Sequence, residues 1–172
     1  MSTYVSVKTN GGCMSKTWLI SDTHFGHKNI ITFTDENNNL IRPFPTIDEH
    51  DEYIIEEFNK LVKPEDKVYH LGDVAIGKRF IELVGRMNGK KILIKGNHDI
   101  FKLKDYTPYF SDIRAYKMLP KHKLIISHIP VYLDPNNKRW KWNIHGHTHI
   151  NKIPDPRYIN VCLEHTGFKP VD

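Results

Sequence analysis

Short apolar runs rich in β-branched residues recur along the first hundred residues and alternate with segments of helical periodicity. Three runs have the length and composition of buried strands: 16–21, 67–72 and 91–96. Between the first two, a capping-box pattern at 46–49 precedes apolar residues at helical spacing and predicts an amphipathic helix to about Val62. Apolar residues at 80–87, followed by Asn88-Gly89, predict a second helix. This alternation predicts parallel strands joined by right-handed crossovers.

The pattern changes after residue 99. Four further segments are typical of strands with short connections and no long helix between them: 112–118, 123–128, 142–145 and 157–163. We therefore expect a second, largely antiparallel sheet packed on the first. The polar segment 34–45, rich in asparagine and proline, is expected to be a loop.

Polar side chains with metal-binding chemistry follow most of the predicted strands. The candidate metal ligands are Asp22, His24, Asp73, Asn97, His128, His147 and His149. A rigid sheet can aim side chains at its strand ends towards a common point, which favours one shared site. A mixed nitrogen and oxygen set suits manganese, which we expect, or iron, zinc or nickel, better than calcium or magnesium.

The charges of these ligands indicate a hydrolytic site for two metal ions. Two aspartates offset only half of the charge of two divalent ions, so the site stays net positive and can accept a bridging hydroxide together with a phosphate. A pair of ions about 3.5–4 Å apart can activate that hydroxide and hold phosphate oxygens for in-line attack. No serine or cysteine stands in a nucleophile motif, which favours direct attack by water.

His98 and Asp99 are the candidate catalytic residues. His98 directly follows a proposed ligand, so its ring could face the substrate, stabilise the transition state or protonate the leaving oxygen. Asp99 could accept a hydrogen bond from the other ring nitrogen and fix the tautomer.

The five motifs D-x-H, G-D, G-N-H-D, H and G-H-x-H, spread over 22–149, resemble the calcineurin-like metallophosphoesterase superfamily, in particular its small bacterial and phage members. The resemblance implies a four-layer α/β/β/α sandwich of two mixed sheets flanked by helices. It also implies that Asp22, His24 and His149 hold one metal ion and that Asn97, His128 and His147 hold the other. Asp73 would bridge the two ions, and His98 would be the catalytic histidine.

The composition is that of a single globular domain. The chain has 172 residues, of which 39% are hydrophobic and 26% charged. We assign 15–172 to the domain and interpret 1–14 as a flexible extension. The two cysteines, Cys13 and Cys162, form no metal spacing or disulfide framework, which indicates a reducing cytoplasm. No run is apolar or long enough for a membrane span or a signal peptide, so no membrane partner is expected.

Substrate contacts are less clearly marked. The net charge of +5 is favourable for phosphorylated or nucleic-acid partners, although many basic proteins have none. His27 could meet a phosphate at a helix start, or simply begin that helix. Arg139 and Trp140 could contact phosphate and stack on a base, but we slightly favour tryptophans that anchor a strand. Of the other histidines, we expect His70 and His145 in the core, and His50, His122 and His165 at the surface.

The favoured function is hydrolysis of phosphodiester or phosphomonoester bonds in a phosphorylated small molecule, a nucleotide or a nucleic-acid end. Two alternatives are a phosphoprotein phosphatase, disfavoured because the chain is short, and a non-catalytic interaction scaffold, disfavoured because no ligand is missing. The physiological substrate, the native metal pair and the oligomeric state stay open.

Overall fold

The computed structural model describes residues 15–172, so the predicted extension at 1–14 lies outside the described residues. The first sheet contains four parallel strands in the order β1-β2-β3-β4. These strands are β1 (Thr17–Ile20), β2 (Lys67–His70), β3 (Lys90–Ile94) and β4 (Asp112–Arg114). The predicted parallel pairing of the first three strands is confirmed. Val171 adds an isolated antiparallel bridge to Leu19 of β1.

The second sheet has the order β5-β6-β7-β8. Its strands are β5 (Tyr116–Leu119), β6 (Leu124–Ser127), β7 (Trp142–His145) and β8 (Tyr158–Asn160). Only β5 and β6 are antiparallel; β6, β7 and β8 run parallel to one another. The prediction of a largely antiparallel sheet was therefore wrong. Parallel neighbours need a connection of about a dozen residues, and the loops at 128–141 and 146–157 provide it without a helix.

Two predicted strands end differently from expectation. The segment 112–118 is not one strand, because it divides at Ala115 between β4 of the first sheet and β5 of the second. Stacked sheets lie about 10 Å apart, so a chain that changes sheet must break its pairing. The last predicted strand, 157–163, ends early because helix α3 (Leu163–Thr166) follows directly after Cys162.

The remaining helices are α1 (Ile47–Leu61), α2 (Leu103–Tyr106) and three 3-10 helices at Lys28–Ile31, Lys78–Arg86 and Pro120–His122. The predicted cap of α1 is present, since the Thr46 hydroxyl accepts a hydrogen bond from the Glu49 amide at 3.1 Å. The predicted second helix is the 3-10 helix Lys78–Arg86. No helix of the described residues is long and apolar enough to cross a membrane.

Two apolar layers hold the domain together. One lies between the first sheet and the helices and contains the fully buried Ile54 and Phe58 of α1. The other lies between the sheets, where Tyr69 and Ile94 pack with Ile126. The helix-flanked sandwich of two sheets is thereby confirmed, and it brings the ends of β1, β2, β3, β6 and β7 to one region.

Candidate metal centre

Six of the predicted ligands form two compact groups. We call Asp22, His24 and His149 the Asp22 group, and Asp73, His128 and His147 the Asp73 group. Within each group one ligand atom per residue lies within 4.8 Å of the others. The seventh ligand, Asn97, joins the Asp73 group, because its Oδ1 lies 2.8 Å from Nε2 of His128. The structure thus brings together all seven residues.

The carboxylate of Asp73 connects the two groups. Its Oδ2 lies 3.4 Å from Nε2 of His128 and 3.8 Å from Nε2 of His24, which belong to different groups. Its Oδ1 accepts a hydrogen bond from the backbone amide of His98 at 2.8 Å. Oδ1 of Asp73 is therefore held by a backbone hydrogen bond, and Oδ2 faces the space between the two ligand groups.

The ligands converge because every one of them follows the carboxyl end of a strand. Asp22 and His24 follow β1, Asp73 follows β2, and Asn97 follows β3. In the second sheet, His128 follows β6, while His147 and His149 follow β7. Parallel strands deliver their carboxyl ends to the same edge of a sheet, and sites form preferentially there.

Five of the seven ligands adopt a backbone conformation that is unfavourable for residues other than glycine. Their φ angles are 57° for Asp22, 48° for His24, 53° for Asp73, 70° for His147 and 47° for His149. Each such conformation costs about 1–3 kcal/mol and persists only where surrounding contacts impose it. Here the amides of Asp22 and His24 donate to the carbonyl oxygens of Gly72 and Asp73, both at 3.0 Å. The ligand loops of β1 and β2 therefore hold each other in the strained geometry.

A glycine permits the close approach of the two sheets at this edge. A Cβ atom at Gly146 would lie 2.0 Å from Oγ of Ser21 and 2.3 Å from Oδ2 of Asp22. No side chain fits there, and this allows the amide of His147 to donate to Oδ2 of Asp22 at 3.0 Å.

The two oxygens of Asp22 have different surroundings. Oδ2 accepts hydrogen bonds from the Ser21 hydroxyl, the Cys162 thiol and the His147 amide. Oδ1 is buried without any hydrogen-bond partner among residues 15–172, as are both ring nitrogens of His24. Buried polar atoms nearly always have a partner, and Nε2 of His24 lies only 3.7 Å from this orphan oxygen. Oδ1 of Asp22 and Nε2 of His24 therefore fit a cation between them.

Hydrogen bonds set the tautomers of two ligand histidines. Nδ1 of His128 donates to the carbonyl oxygen of Leu71 at 2.7 Å, and Nδ1 of His149 donates to the carboxylate of Glu164 at 2.9 Å. Carbonyl and carboxylate oxygens only accept here, so each Nδ1 carries the proton and each Nε2 is turned to the site. Two atoms bound at right angles to one ion, as in octahedral coordination, through bonds of about 2.1 Å lie about 3 Å apart. The 2.8 Å between His128 and Asn97 is close to that spacing.

The electrostatics favour ionised carboxylates beside histidines. Burial alone would raise the pKa of Asp22, but its interaction with His24 and the charge of His128 lower that pKa below its ordinary value. Burial would likewise raise the pKa of Asp73, but the interaction with the His128 ring, whose Nε2 lies 3.4 Å from Oδ2, lowers it. Burial lowers the pKa of His24, which keeps its ring neutral and able to ligate. Burial would also lower the pKa of His128 and of His149, but their carboxylate neighbours Asp73 and Glu164 raise it. The centre therefore concentrates negative charge, which favours a cation.

A buried ion pair supports the Asp22 group from behind. The fully buried Arg42 donates from Nε and Nη2 to Oε1 of Glu164 at 2.9 and 2.7 Å. The same Nη2 donates to the carbonyl oxygen of Asp22 at 2.7 Å. Burial would raise the pKa of Glu164, but the hydrogen bond from His149 and the charge of Arg42 lower it to about 2. Neither residue was among the predicted site residues.

The network continues through a histidine that we had expected at the surface. His50 is fully buried, with Nε2 3.1 Å from Nη1 of Arg42 and Nδ1 2.8 Å from Oδ1 of Asp51. Asp51 in turn accepts a hydrogen bond from the amide of Gly26 at 2.8 Å. The surface interpretation of His50 was wrong, because the buried side chain of Arg42 reaches inward from the polar segment and contacts His50. His70 and His145 are buried as expected.

Glu164 is a positioning residue for His149, and its charge is expected to matter. Glu164→Gln keeps the size and an acceptor oxygen but removes the charge that makes the His149 ring more basic. We expect metal affinity to fall by about 10–100-fold, the range found when partners of metal ligands are changed. Calorimetric titration of the metal-free protein with Mn²⁺ measures this. Glu52→Gln, at an exposed ion pair with Arg86, is the control; equal affinities for the two variants would contradict the assigned role.

Asp99 does not perform the task predicted for it. Its two carboxylate oxygens accept hydrogen bonds from the backbone amides of Asp73, Val74 and Gly96, at 2.8–3.0 Å. The prediction that it orients the ring of His98 was therefore wrong. Asp99 instead ties the ligand loop after β2 to the ligand loop after β3. Asp99 lies in the loop after β3, and its buried carboxylate is close enough to accept hydrogen bonds from backbone amides of both loops.

His98 lies at the mouth of the centre. Its side chain is exposed, and its ring centroid is 5.6 Å from that of His24. Since its backbone amide is held by Asp73, the ring can face a molecule bound at the metal ligands. This position is compatible with the predicted contact with substrate, which stays a prediction.

The three predicted substrate contacts fall into two places. His27 lies beside the centre, with its ring 5.7 Å from that of His24. Arg139 and Trp140 precede the start of β7, whereas His147 and His149 follow its end. The guanidinium of Arg139 lies over the ring of Trp140, 5.1 Å from its centroid. Arg139 and Trp140 therefore lie at the end of β7 opposite the metal ligands, and the structure does not bring them to the candidate metal centre.

Comparisons with known proteins agree with this geometry. The family model for calcineurin-like phosphoesterases matches residues 15–165. The uncharacterized protein MJ1445 of Methanocaldococcus jannaschii is 34% identical, over 92% of this chain and 87% of its own length. The Gene 66 protein of Mycobacterium phage L5 is 31% identical, over 90% of this chain and 87% of its own. The crystal structure of AQ665 from Aquifex aeolicus, a protein of unknown function, has a TM-score of 0.69 at 29% identity. The match covers 90% of this chain and 94% of the AQ665 chain.

A helix-flanked sandwich of two sheets, with two adjacent groups of metal-binding side chains at one edge, defines a metallophosphoesterase. The chain belongs to the calcineurin-like phosphoesterase family. This membership supports a metal-dependent hydrolase that acts on phosphoesters.

Proposed function

We propose that this protein is a cytoplasmic, dinuclear phosphoesterase that hydrolyses phosphodiester or phosphomonoester bonds of nucleotides or nucleic-acid ends. The observation that carries the dinuclear proposal is the position of Oδ2 of Asp73, within 4 Å of a histidine nitrogen from each ligand group. A carboxylate oxygen with that placement can serve both ions.

The residues present fit two divalent ions, with Mn²⁺ the favoured choice for this mixture of nitrogen and oxygen ligands. Asp22, His24 and His149 would hold one ion, Asn97, His128 and His147 the other, and Asp73 both. When bound, the ions would activate water for attack on phosphorus and neutralise the phosphate oxygens. The side chains themselves keep the site rigid, because the strained ligand loops and the Arg42–Glu164 pair allow little movement.

His98 has the role of proton donor in this proposal. Its ring stands at the open side of the centre, where the leaving oxygen of a bound phosphoester would emerge. A positioned acid of this kind contributes about 10²–10⁴-fold to a rate. We expect His98→Ala to lose that factor in turnover of a phosphoester with a poor leaving group, while the protein still binds metal. His122→Ala, at an exposed position in the 3-10 helix between β5 and β6, is the matched control.

The direct test is a screen of the Mn²⁺-loaded protein against phosphomonoesters, linear phosphodiesters, and 2′,3′-cyclic and 3′,5′-cyclic nucleotides. Elemental analysis of the same sample gives the metal content. We expect two ions per chain and metal-dependent release of phosphate or monoester from at least one class. Protein that retains no metal after loading would refute the dinuclear site and favour an interaction scaffold instead. Full metal content without hydrolysis of any member would refute the proposed activity.

A further inference from the structure

Two recesses open beside the candidate metal centre, one at each ligand group. The first pocket, of about 480 Å³, has His24 and His149 in its wall, together with Phe33 and Ile150. The second pocket, of about 630 Å³, has Asn97 and His128 in its wall, together with Leu103 and Tyr116. Because ligands of different groups form their inner walls, the two pockets adjoin different parts of the centre where a phosphate would bind.

Each pocket has exposed apolar side chains in its wall. Exposed fractions are 46% for Phe33 and 40% for Ile150 in the first pocket, and 57% for Leu103 and 54% for Tyr116 in the second. A concave apolar surface around a few convergent polar groups is the usual form of a small-molecule site. The apolar surface here is divided in two, with the polar ligand atoms between the halves.

The titratable groups distinguish the two pockets. His98 and His27 line the first pocket, so the candidate proton donor faces a group bound there. Lys95 and Arg114 line the second, which is compatible with a substituent that carries further polar or anionic groups. The first pocket therefore suits the departing group, and the second suits the group that stays on phosphorus.

We infer that the site is built for phosphodiesters with an apolar or aromatic substituent on each side of phosphorus; this inference rests on the proposed function. Water adds to phosphorus, and the P–O bond to the substituent in the first pocket breaks. His98 gives its ring proton to the departing oxygen. The water supplies the hydroxyl group of the new monoester and the proton that restores His98.

A phosphomonoester would use only half of this site. Its one substituent occupies the first pocket, and the apolar wall formed by Leu103 and Tyr116 stays in contact with solvent. Diesters therefore gain contacts that monoesters lack. Each methylene group buried in such a pocket is worth about 10-fold or more in discrimination.

The test compares bis(4-nitrophenyl) phosphate with 4-nitrophenyl phosphate on the Mn²⁺-loaded protein. In the second pocket, Leu103→Ala is expected to raise KM for the diester about 10-fold and leave the monoester unchanged. In the first pocket, Phe33→Ala is expected to raise KM for both, because both place their leaving group there. Ile159→Ala, which removes an equally exposed apolar side chain outside both pockets, is expected to change neither. A Leu103→Ala variant with wild-type KM for the diester would overturn the inference.

Binding without turnover separates this inference from the proposed activity. Diphenylphosphinate carries two phenyl groups, and methyl(phenyl)phosphinate carries one phenyl and one methyl group. Both are monoanions with two free oxygens, and neither has an ester bond to cleave. By calorimetry on the Mn²⁺-loaded protein, we expect diphenylphosphinate to bind about 10-fold more tightly, and Leu103→Ala to remove that difference. Equal affinity of the two probes would overturn the two-pocket site. If the difference is present but no phosphoester is hydrolysed, the proposed activity fails and the two-pocket site stands.

Discussion

Asp73→Asn is expected to slow phosphoester hydrolysis about a thousand-fold while the fold is retained. The amide has the shape of the carboxylate and its Oδ1 can still accept the hydrogen bond from the His98 amide. The group that replaces Oδ2 is an NH₂, which cannot bind a metal ion. Oδ2 is the atom that would bind both the ion held by His24 and the ion held by His128. Because metal ions supply several kcal/mol of transition-state stabilisation, we expect a loss of about three orders of magnitude in turnover.

The measurement is turnover of a phosphoester by metal-loaded protein, with metal content determined on the same sample. Asp155→Asn makes the same chemical change at a surface ion pair with Arg157 and serves as the control. We expect the Asp73 variant to bind fewer than two ions and the Asp155 variant to match the wild type. Wild-type turnover in Asp73→Asn would show that this carboxylate does not join two ions.

Arg42→Met is expected to cause a large loss of stability, although Arg42 contacts no substrate. The substitution keeps much of the side-chain volume but removes the charge that faces Glu164 at 2.7 Å. It also leaves the carbonyl oxygen of Asp22 without its donor. Loss of one partner of a buried ion pair costs about 3–5 kcal/mol, because the remaining charge stays buried. Metal affinity is expected to fall as well, since both Asp22 and His149 rest on this pair.

The free energy of unfolding, measured in urea on metal-free protein, checks this expectation. Arg86→Met is the matched control, since Arg86 pairs with Glu52 where both side chains are about half exposed. Exposed pairs are worth about 0–1 kcal/mol, so this control should change little. A similar small loss in both variants would mean that the buried network is not needed for the fold.

The parallel pairing of β1, β2 and β3 was predictable because these strands are separated by segments of helical periodicity, whereas β4 lies in a segment that was expected in the second sheet. A helix between two strands requires a crossover, and a crossover makes the strands parallel. The second sheet has loops at 128–141 and 146–157 where the first has helices. The local sequence pattern therefore did not indicate whether neighbouring strands of the second sheet run parallel or antiparallel. The loops are long enough to permit the parallel pairing that the structure shows.

The supporting residues were harder to recognise than the ligands. Arg42 lies in a segment with the composition of a loop, and Glu164 is 122 residues further along the chain. Neither carries a local motif, because the contact exists only after both sheets have packed. The sequence also did not show that the Asp99 carboxylate binds backbone amides while the His98 ring is exposed. Adjacent residues in a loop can point in opposite directions, and only the folded structure fixes those directions.

What the sequence by itself determined is the set of groups available at the strand ends: the ligand residues stand next to apolar runs, and their chemical types are visible in the chain. What only the tertiary structure decided is how those groups are used. The strained backbone at Asp22, the single carboxylate oxygen of Asp73 that faces both groups and the two pockets beside them all depend on distances between segments far apart in sequence. Such distances are set by the packing of the sheets, which no local pattern of residues records.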